Sequence, residues 1–210
     1  FEAAFTRTVE LIRRLKAEGH PIRHLDLGGG LGIPYSDETP PAPQAYAEMV
    51  HRVTGDLDLK LIFEPGRVIV GNAGLMLSEV VYVKETASKR FLILDAGMND
   101  LMRPALYDAY HEVVAVTEPA AGAARAPVEI VGPVCESTDV FARERPMPPV
   151  ARGDLVAFRS AGAYGATMSN TYNARELVPE VLVDGDRYAV IRPRQTVDEL
   201  IAMDRVPDWI

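Results

Sequence analysis

Ile22-Arg23-His24-Leu25-Asp26-Leu27-Gly28-Gly29-Gly30-Leu31-Gly32 is the stretch whose reading sets the fold. Residues 22–27 read as a short strand that stops at a glycine cluster, where the chain must turn sharply or approach something closely. Upstream, Phe5, Val9, Ile12 and Leu15 recur at helical spacing, and Gly19 stands where a helix C-cap is expected. Downstream, Pro40, Pro41 and Pro43 break an acidic loop, and Tyr46, Met49, Val50 and Val53 resume helical spacing over 45–53. Residues 59–63 form a second apolar strand that ends at Glu64. Helix, strand, loop, helix, strand is the order of βα units around a parallel sheet. Two such units cannot close a barrel or cover both faces of a sheet, so neighbouring polypeptide is expected beside them.

After Gly74 the texture changes. Strands are expected at 77–84, 90–95, 111–117, 128–131, 154–158, 180–183 and 188–191, separated by Gly, Pro, Asp and Asn turns. That spacing predicts a mostly antiparallel sheet, sandwich or barrel. Residues 119–127 read as an exposed loop, Met147-Pro148-Pro149 as a rigid connection, and 196–203 as a short helix. The expected division is an α/β unit over 1–76 and a β unit over 77–210.

Composition narrows the function classes. With 22 basic and 30 acidic residues the net charge is −8, which argues against a nucleic-acid partner because no basic field displaces counterions. The apolar runs fall far short of a membrane span. Cys135 is the single cysteine, which excludes an intrachain disulfide and fits a reducing, cytoplasmic setting. Residues 1–5 read as the inside of a helix, so the chain is expected to be the later part of a longer protein.

Several short motifs can carry chemistry. Glycines at 28–30 after a strand let backbone N–H groups converge on a phosphate, or simply make a turn. The spacing is neither a dinucleotide fingerprint nor a Walker A loop. Glu64-Pro65-Gly66-Arg67 begins at a strand end: its carboxylate could hold the protonated nitrogen of a heteroaromatic cofactor and its guanidinium could hold an anion, or the two could form a loop ion pair. Arg103 and Tyr107 are four apart, and if Pro104 opens a helical turn they share a face suited to one carboxylate; a surface cap is the plainer alternative. Cys135 follows Gly132-Pro133-Val134 and precedes Glu136, Ser137 and Asp139; it is either a buried inert thiol or a reactive one. His20, His24, His51 and His111 make no convincing metal set, and no nucleophile elbow surrounds Ser137, Ser160 or Ser169.

Taken in order, six pieces resemble the meso-diaminopimelate decarboxylases, among the pyridoxal-phosphate decarboxylases with an alanine-racemase-like barrel. They are His24-Leu25-Asp26-Leu27-Gly28-Gly29-Gly30-Leu31-Gly32, Glu64-Pro65-Gly66-Arg67, Asp95-Ala96-Gly97-Met98-Asn99, Arg103-Pro104-Ala105-Leu106-Tyr107, Gly132-Pro133-Val134-Cys135-Glu136-Ser137-Thr138-Asp139 and Gly162-Ala163-Tyr164-Gly165. The resemblance implies the last βα units of a (β/α)8 barrel followed by a β domain, in a homodimer with shared active sites. It assigns Gly28, Gly29 and Gly30 to the pyridoxal 5'-phosphate phosphate group and Glu64 to the pyridine nitrogen, with Gly66, Arg67 and Tyr164 also on the cofactor side. Arg67, Arg103, Tyr107, Glu136 and Tyr164 would hold the small-molecule substrate, Glu136 meeting its distal ammonium. Cys135 would return a proton, and Cys135 and Glu136 would enter from the partner subunit. The family's Schiff-base lysine has no match at Lys16, Lys60, Lys84 or Lys89, so it is expected in a preceding segment. The nearest alternatives are an ornithine, arginine or carboxynorspermidine decarboxylase or a racemase on the same barrel; a non-catalytic β-rich interaction module is another class.

Overall fold

The computed structural model describes residues 1–210 and divides into two compact units, Phe1–Gly71 and Asn72–Ile210. The division falls between Gly71 and Asn72 rather than between 76 and 77.

In the first unit, helix α1 (Glu2–Ala17) buries Phe5, Val9 and Ile12 along one face. It ends in a paired backbone cap: the N–H of Gly19 donates to Lys16 O and that of His20 to Leu15 O, with Gly19 at φ +92°. Only glycine adopts that left-handed angle without cost. Strand β1 (His24–Asp26) follows, then a loop, then α2 (Pro43–Thr54), with Pro43 in its first turn, where a missing N–H costs nothing. Strand β2 (Lys60–Ile62) pairs with β1 in parallel, Asp26 opposite Ile62. Phe5, Ile12, Leu25, Leu27, Leu31, Tyr46 and Val50 close one apolar core between helices and strands. Each fully buried side chain of this size contributes about 1.5–3 kcal/mol. A short helix α3 (Gly66–Val70), absent from the expectations drawn from sequence, ends the unit.

The second unit is built on a six-stranded sheet. Its strands are β3 (Met76–Glu85), β4 (Arg90–Leu94), β5 (Val113–Ala115), β6 (Ala126–Val131), β7 (Val140–Met147) and β8 (Leu155–Phe158), in spatial order β5-β8-β3-β4-β6-β7. Every pairing is antiparallel except β4 with β6. Helix α4 (Arg103–Tyr107) lies between β4 and β5 in sequence. The core gathers Val80, Leu92, Leu94, Leu101, Ile130, Phe141, Met147 and Phe158, with the Phe141 and Phe158 rings 4.7 Å apart. Strand β7 is not expected from sequence. It is one of the two edge strands, so Arg143, Glu144 and Arg145 need no burial, and Pro146 is tolerated there. A register shift opposite Val128 and Ile130, with Glu144 at φ +48°, further masks its alternation. A hairpin of β9 (Glu180–Asp184) and β10 (Arg187–Arg192) follows, then α5 (Val197–Ile201), opened by a Thr196–Glu199 capping box.

Candidate active site

Parallel pairing of β1 and β2 brings their carboxyl ends side by side, the edge where open and closed parallel sheets bind ligands. The ladder runs on into both motifs: Leu27 N–H donates to Ile62 O at 3.0 Å and Glu64 N–H donates to Gly28 O at 2.8 Å. The glycine turn and the Glu64 corner are therefore one piece of architecture. Gly28 and Gly30 sit at φ +66° and +89°, and at Gly29 a Cβ would collide with the Glu64 carbonyl oxygen. Asp26 accepts the Gly28 N–H at 2.8 Å, whereas the N–H groups of Gly29 and Gly30 make no hydrogen bond inside the chain. A turn that presents two uncommitted N–H groups and excludes side chains suits an anion such as a phosphate. The Glu64 carboxylate is exposed beside that turn, and the half-buried Arg67 sits in the first turn of α3 after Gly66. The residues present fit a pyridoxal phosphate group at this end of the unit.

In the second unit, the chemistry-bearing loops hang from a polar network centred on the buried Asn99, Asp100 and Asp139. Asp95 at the end of β4 accepts from Ser78 Oγ at 2.5 Å and from Glu79 N–H at 2.8 Å. Arg175 donates to Asn99 Oδ1 at 2.8 Å and to Asp95 O, and reaches Asp100 Oδ2 at 3.5 Å. Asp100 accepts the Gly97 N–H at 2.8 Å. Asp139, 3% exposed, accepts from Val134 N–H and from Met98 N–H, each at 2.7 Å. It thus folds the Gly132–Asp139 loop onto the Asp95–Asn99 loop. A Cβ on Gly132 would strike the Asp139 carboxylate, so the loop closes only over glycine. Burial pushes the Asp100 and Asp139 carboxyls above the ordinary 3.8, while the N–H donors and Arg175 pull them back.

Cys135 and Glu136 project from this loop and are exposed. Of the two readings open from sequence, the buried inert cysteine gives way to an accessible thiol. Arg103 is buried at the start of α4, its guanidinium 5.9 Å from the centre of the Tyr164 ring and hydrogen-bonded to His111. Pro104 does open a helical turn, yet Tyr107 at its end is 61% exposed while Arg103 is not. Within this unit Arg103 meets the His111 ring nitrogen and the face of Tyr164. Tyr164 itself holds a left-handed backbone at φ +60°, uncommon for a bulky residue and concentrated at functional positions. Sequence reasoning weighs His111 only as a metal ligand and passes over Arg175 and Asp100. A histidine eight residues after an arginine carries no local signal of contact, and Arg175 lies 75 residues from Asp100.

A strand-end glycine cradle with an acid–arginine corner, in a parallel βα unit followed by a mixed sheet, is the architecture of a protein suited to a phosphate-bearing ligand. The family described as pyridoxal-dependent decarboxylase, C-terminal sheet domain, matches residues 25–162, and the chain belongs to it. It is 52% identical to the diaminopimelate decarboxylase of Zymomonas mobilis, over all of this chain and 50% of that protein. It is 47% identical to that of Vibrio cholerae, over 98% of this chain and 49% of the other. Among solved structures, the diaminopimelate decarboxylase of Helicobacter pylori complexed with L-lysine superposes with a TM-score of 0.88 at 37% identity, covering 96% of this chain and 50% of that one. The enzyme of M. jannaschii in complex with L-lysine gives 0.89 at 39%, covering 97% and 48%. The chain spans about half the length of the curated relatives it matches. These similarities agree with the fold class expected from sequence, the later units of a (β/α)8 barrel followed by a β domain.

Proposed function

We propose that the full-length protein carrying this chain is a pyridoxal-phosphate-dependent carboxy-lyase that converts meso-2,6-diaminopimelate to L-lysine and carbon dioxide, the last step of lysine biosynthesis. What carries this reading is the level identity, 47–52%, to diaminopimelate decarboxylases across essentially the whole chain. Bound pyridoxal phosphate supplies an electron-poor ring that takes up the electron pair left when carbon dioxide departs. The N–H groups of Gly29 and Gly30 bind its phosphate, with Gly28 and Gly66 keeping the approach clear of side chains. Glu64 holds the proton on the ring nitrogen, because a carboxylate favours the charged pyridinium.

Arg103, with Arg67 and Tyr107, binds the distal carboxylate of the substrate, and Glu136 its distal ammonium. Tyr164 flanks the cofactor and shields the Arg103 guanidinium. Gripping a zwitterionic end favours a diamino diacid over ornithine or arginine, which lack the second carboxylate. Cys135 Sγ–H delivers a proton to the carbon that has lost its carboxylate. The protein acts as a cytoplasmic homodimer with shared active sites and, at a net charge of −8, without nucleic acid. No helix is long and apolar enough to cross a membrane.

Carbon dioxide release from meso-diaminopimelate, ornithine and arginine by the full-length protein tests the substrate. Release from the first alone is expected; equal release from all three, or none with cofactor bound, contradicts the reading. In the same assay Cys135→Ala should lower kcat by about 10²-fold, the scale of a lost general acid, while cofactor affinity stays within about threefold. Parallel losses in both would count against the acid role.

A further inference from the structure

We propose that His111 is the positioning residue that aims the Arg103 guanidinium, and so sets the grip on the distal carboxylate; this rests on the reading of Arg103 given above. His111 is 1% exposed, just ahead of β5. Its Nδ1 lies 3.0 Å from Arg159 O, just past β8. A carbonyl only accepts, so Nδ1 carries the hydrogen, and the neutral ring is left with Nε2 as an acceptor. Arg103 Nη1 stands 3.0 Å from that Nε2 and donates to it. A guanidinium cannot accept, so protonating the ring would set two donors face to face. Burial, and then the Arg103 charge, hold His111 below its ordinary 6.5 despite the pull of the Arg159 carbonyl.

The ring is held by its surroundings as well as by its own bonds. His111 O accepts from Arg145 Nη1 at 2.9 Å, and the Arg145 guanidinium stacks 4.2 Å from the centre of the Tyr110 ring. Arg159 is tied to Glu112 at 2.8 Å and its N–H donates to Glu112 O. The histidine therefore carries the rigidity of the β5–β8 pair to a side chain on a single helical turn, which by itself would hold a five-donor fork only loosely.

Two conservative variants separate aiming from packing. In H111Q the side-chain carbonyl can still accept from Arg103; in H111N the shorter amide can still donate to Arg159 O but leaves Arg103 without that acceptor. In the loaded full-length protein, H111N should raise KM for meso-diaminopimelate about 10-fold or more, the scale of a lost hydrogen bond to a charged group, with kcat within about threefold. H111Q should return KM to within about threefold of wild type. Equal KM values for the two variants, or a larger loss in H111Q, would overturn the proposal.

A second arm needs no substrate. In thermal unfolding, adding R103M to H111N should lower Tm less than R103M does in the wild type; strictly additive shifts would overturn the pairing. R103L, which likewise has no donor, replaces R103M in this cycle if the latter does not fold. A protein that releases no carbon dioxide, or whose R103M variant keeps its KM, refutes the function assigned to Arg103, while the unfolding cycle still decides whether His111 holds it.

Discussion

Gly29→Ala is expected to abolish cofactor retention and to destabilise the first unit by about 2–4 kcal/mol, the range of a substitution that forces a backbone clash. The added methyl would overlap the Glu64 carbonyl oxygen and lie 3.1 Å from the Glu64 carbonyl carbon, both backbone atoms. Neither can step aside cheaply. The Glu64 N–H is bonded to Gly28 O, and the segment before it is paired to β1. Relief therefore parts the two strand ends and carries the Glu64 carboxylate away from the glycine turn. Gly28→Ala is the control for stability: nothing lies within 4 Å of the place its methyl would take, and within the fold only the positive φ opposes it, at about 1 kcal/mol. Denaturant unfolding and the visible absorbance of the loaded full-length protein check both variants. Wild-type stability and full cofactor content in the Gly29 variant would contradict the account of the cradle.

Asp139→Ala should cost about 3–5 kcal/mol and take most of the turnover with it. The carboxylate is the acceptor for two N–H groups, Val134 and Met98, and each such donor left buried without a partner costs about 1–3 kcal/mol. The loop it closes carries Cys135 and Glu136, so a loss of shape there reaches the chemistry directly. Asp139→Asn keeps one acceptor oxygen and should lose roughly half as much. Unfolding free energies measured beside kcat settle the matter. An alanine variant within about 0.5 kcal/mol of wild type, the ordinary range for a surface change, would show that the loop holds its form without the carboxylate.

Much of this architecture is legible because local signals agree with the global fold. The 3.6-residue spacing of Phe5, Val9 and Ile12, the short strand ending at the glycines of 28–30 and the strand-length segments set between turn residues after Gly74 each point to the element that forms. The glycine cluster at 28–30 and the Gly132-Pro133 break mark turns in the sequence, and at Gly29 and Gly132 an added side chain would clash. Strand β7 is hidden because an edge position lets Arg143, Glu144, Arg145 and Pro146 stand where a central strand would need apolar residues. Long-range polar contacts leave no trace in a single sequence. Nothing near Arg175 reveals that it will reach Asp95, Asn99 and Asp100, and nothing near His111 reveals that its ring will meet Arg103 across α4. The left-handed backbone of Tyr164 is equally silent, since bulky residues rarely adopt it.

A crystal structure of the full-length protein loaded with pyridoxal phosphate tests the central claim most directly. The account predicts the cofactor phosphate within hydrogen-bonding distance of the Gly29 and Gly30 N–H groups and a Glu64 carboxylate oxygen on the ring nitrogen. A phosphate bound elsewhere, with Glu64 turned to solvent, would contradict it.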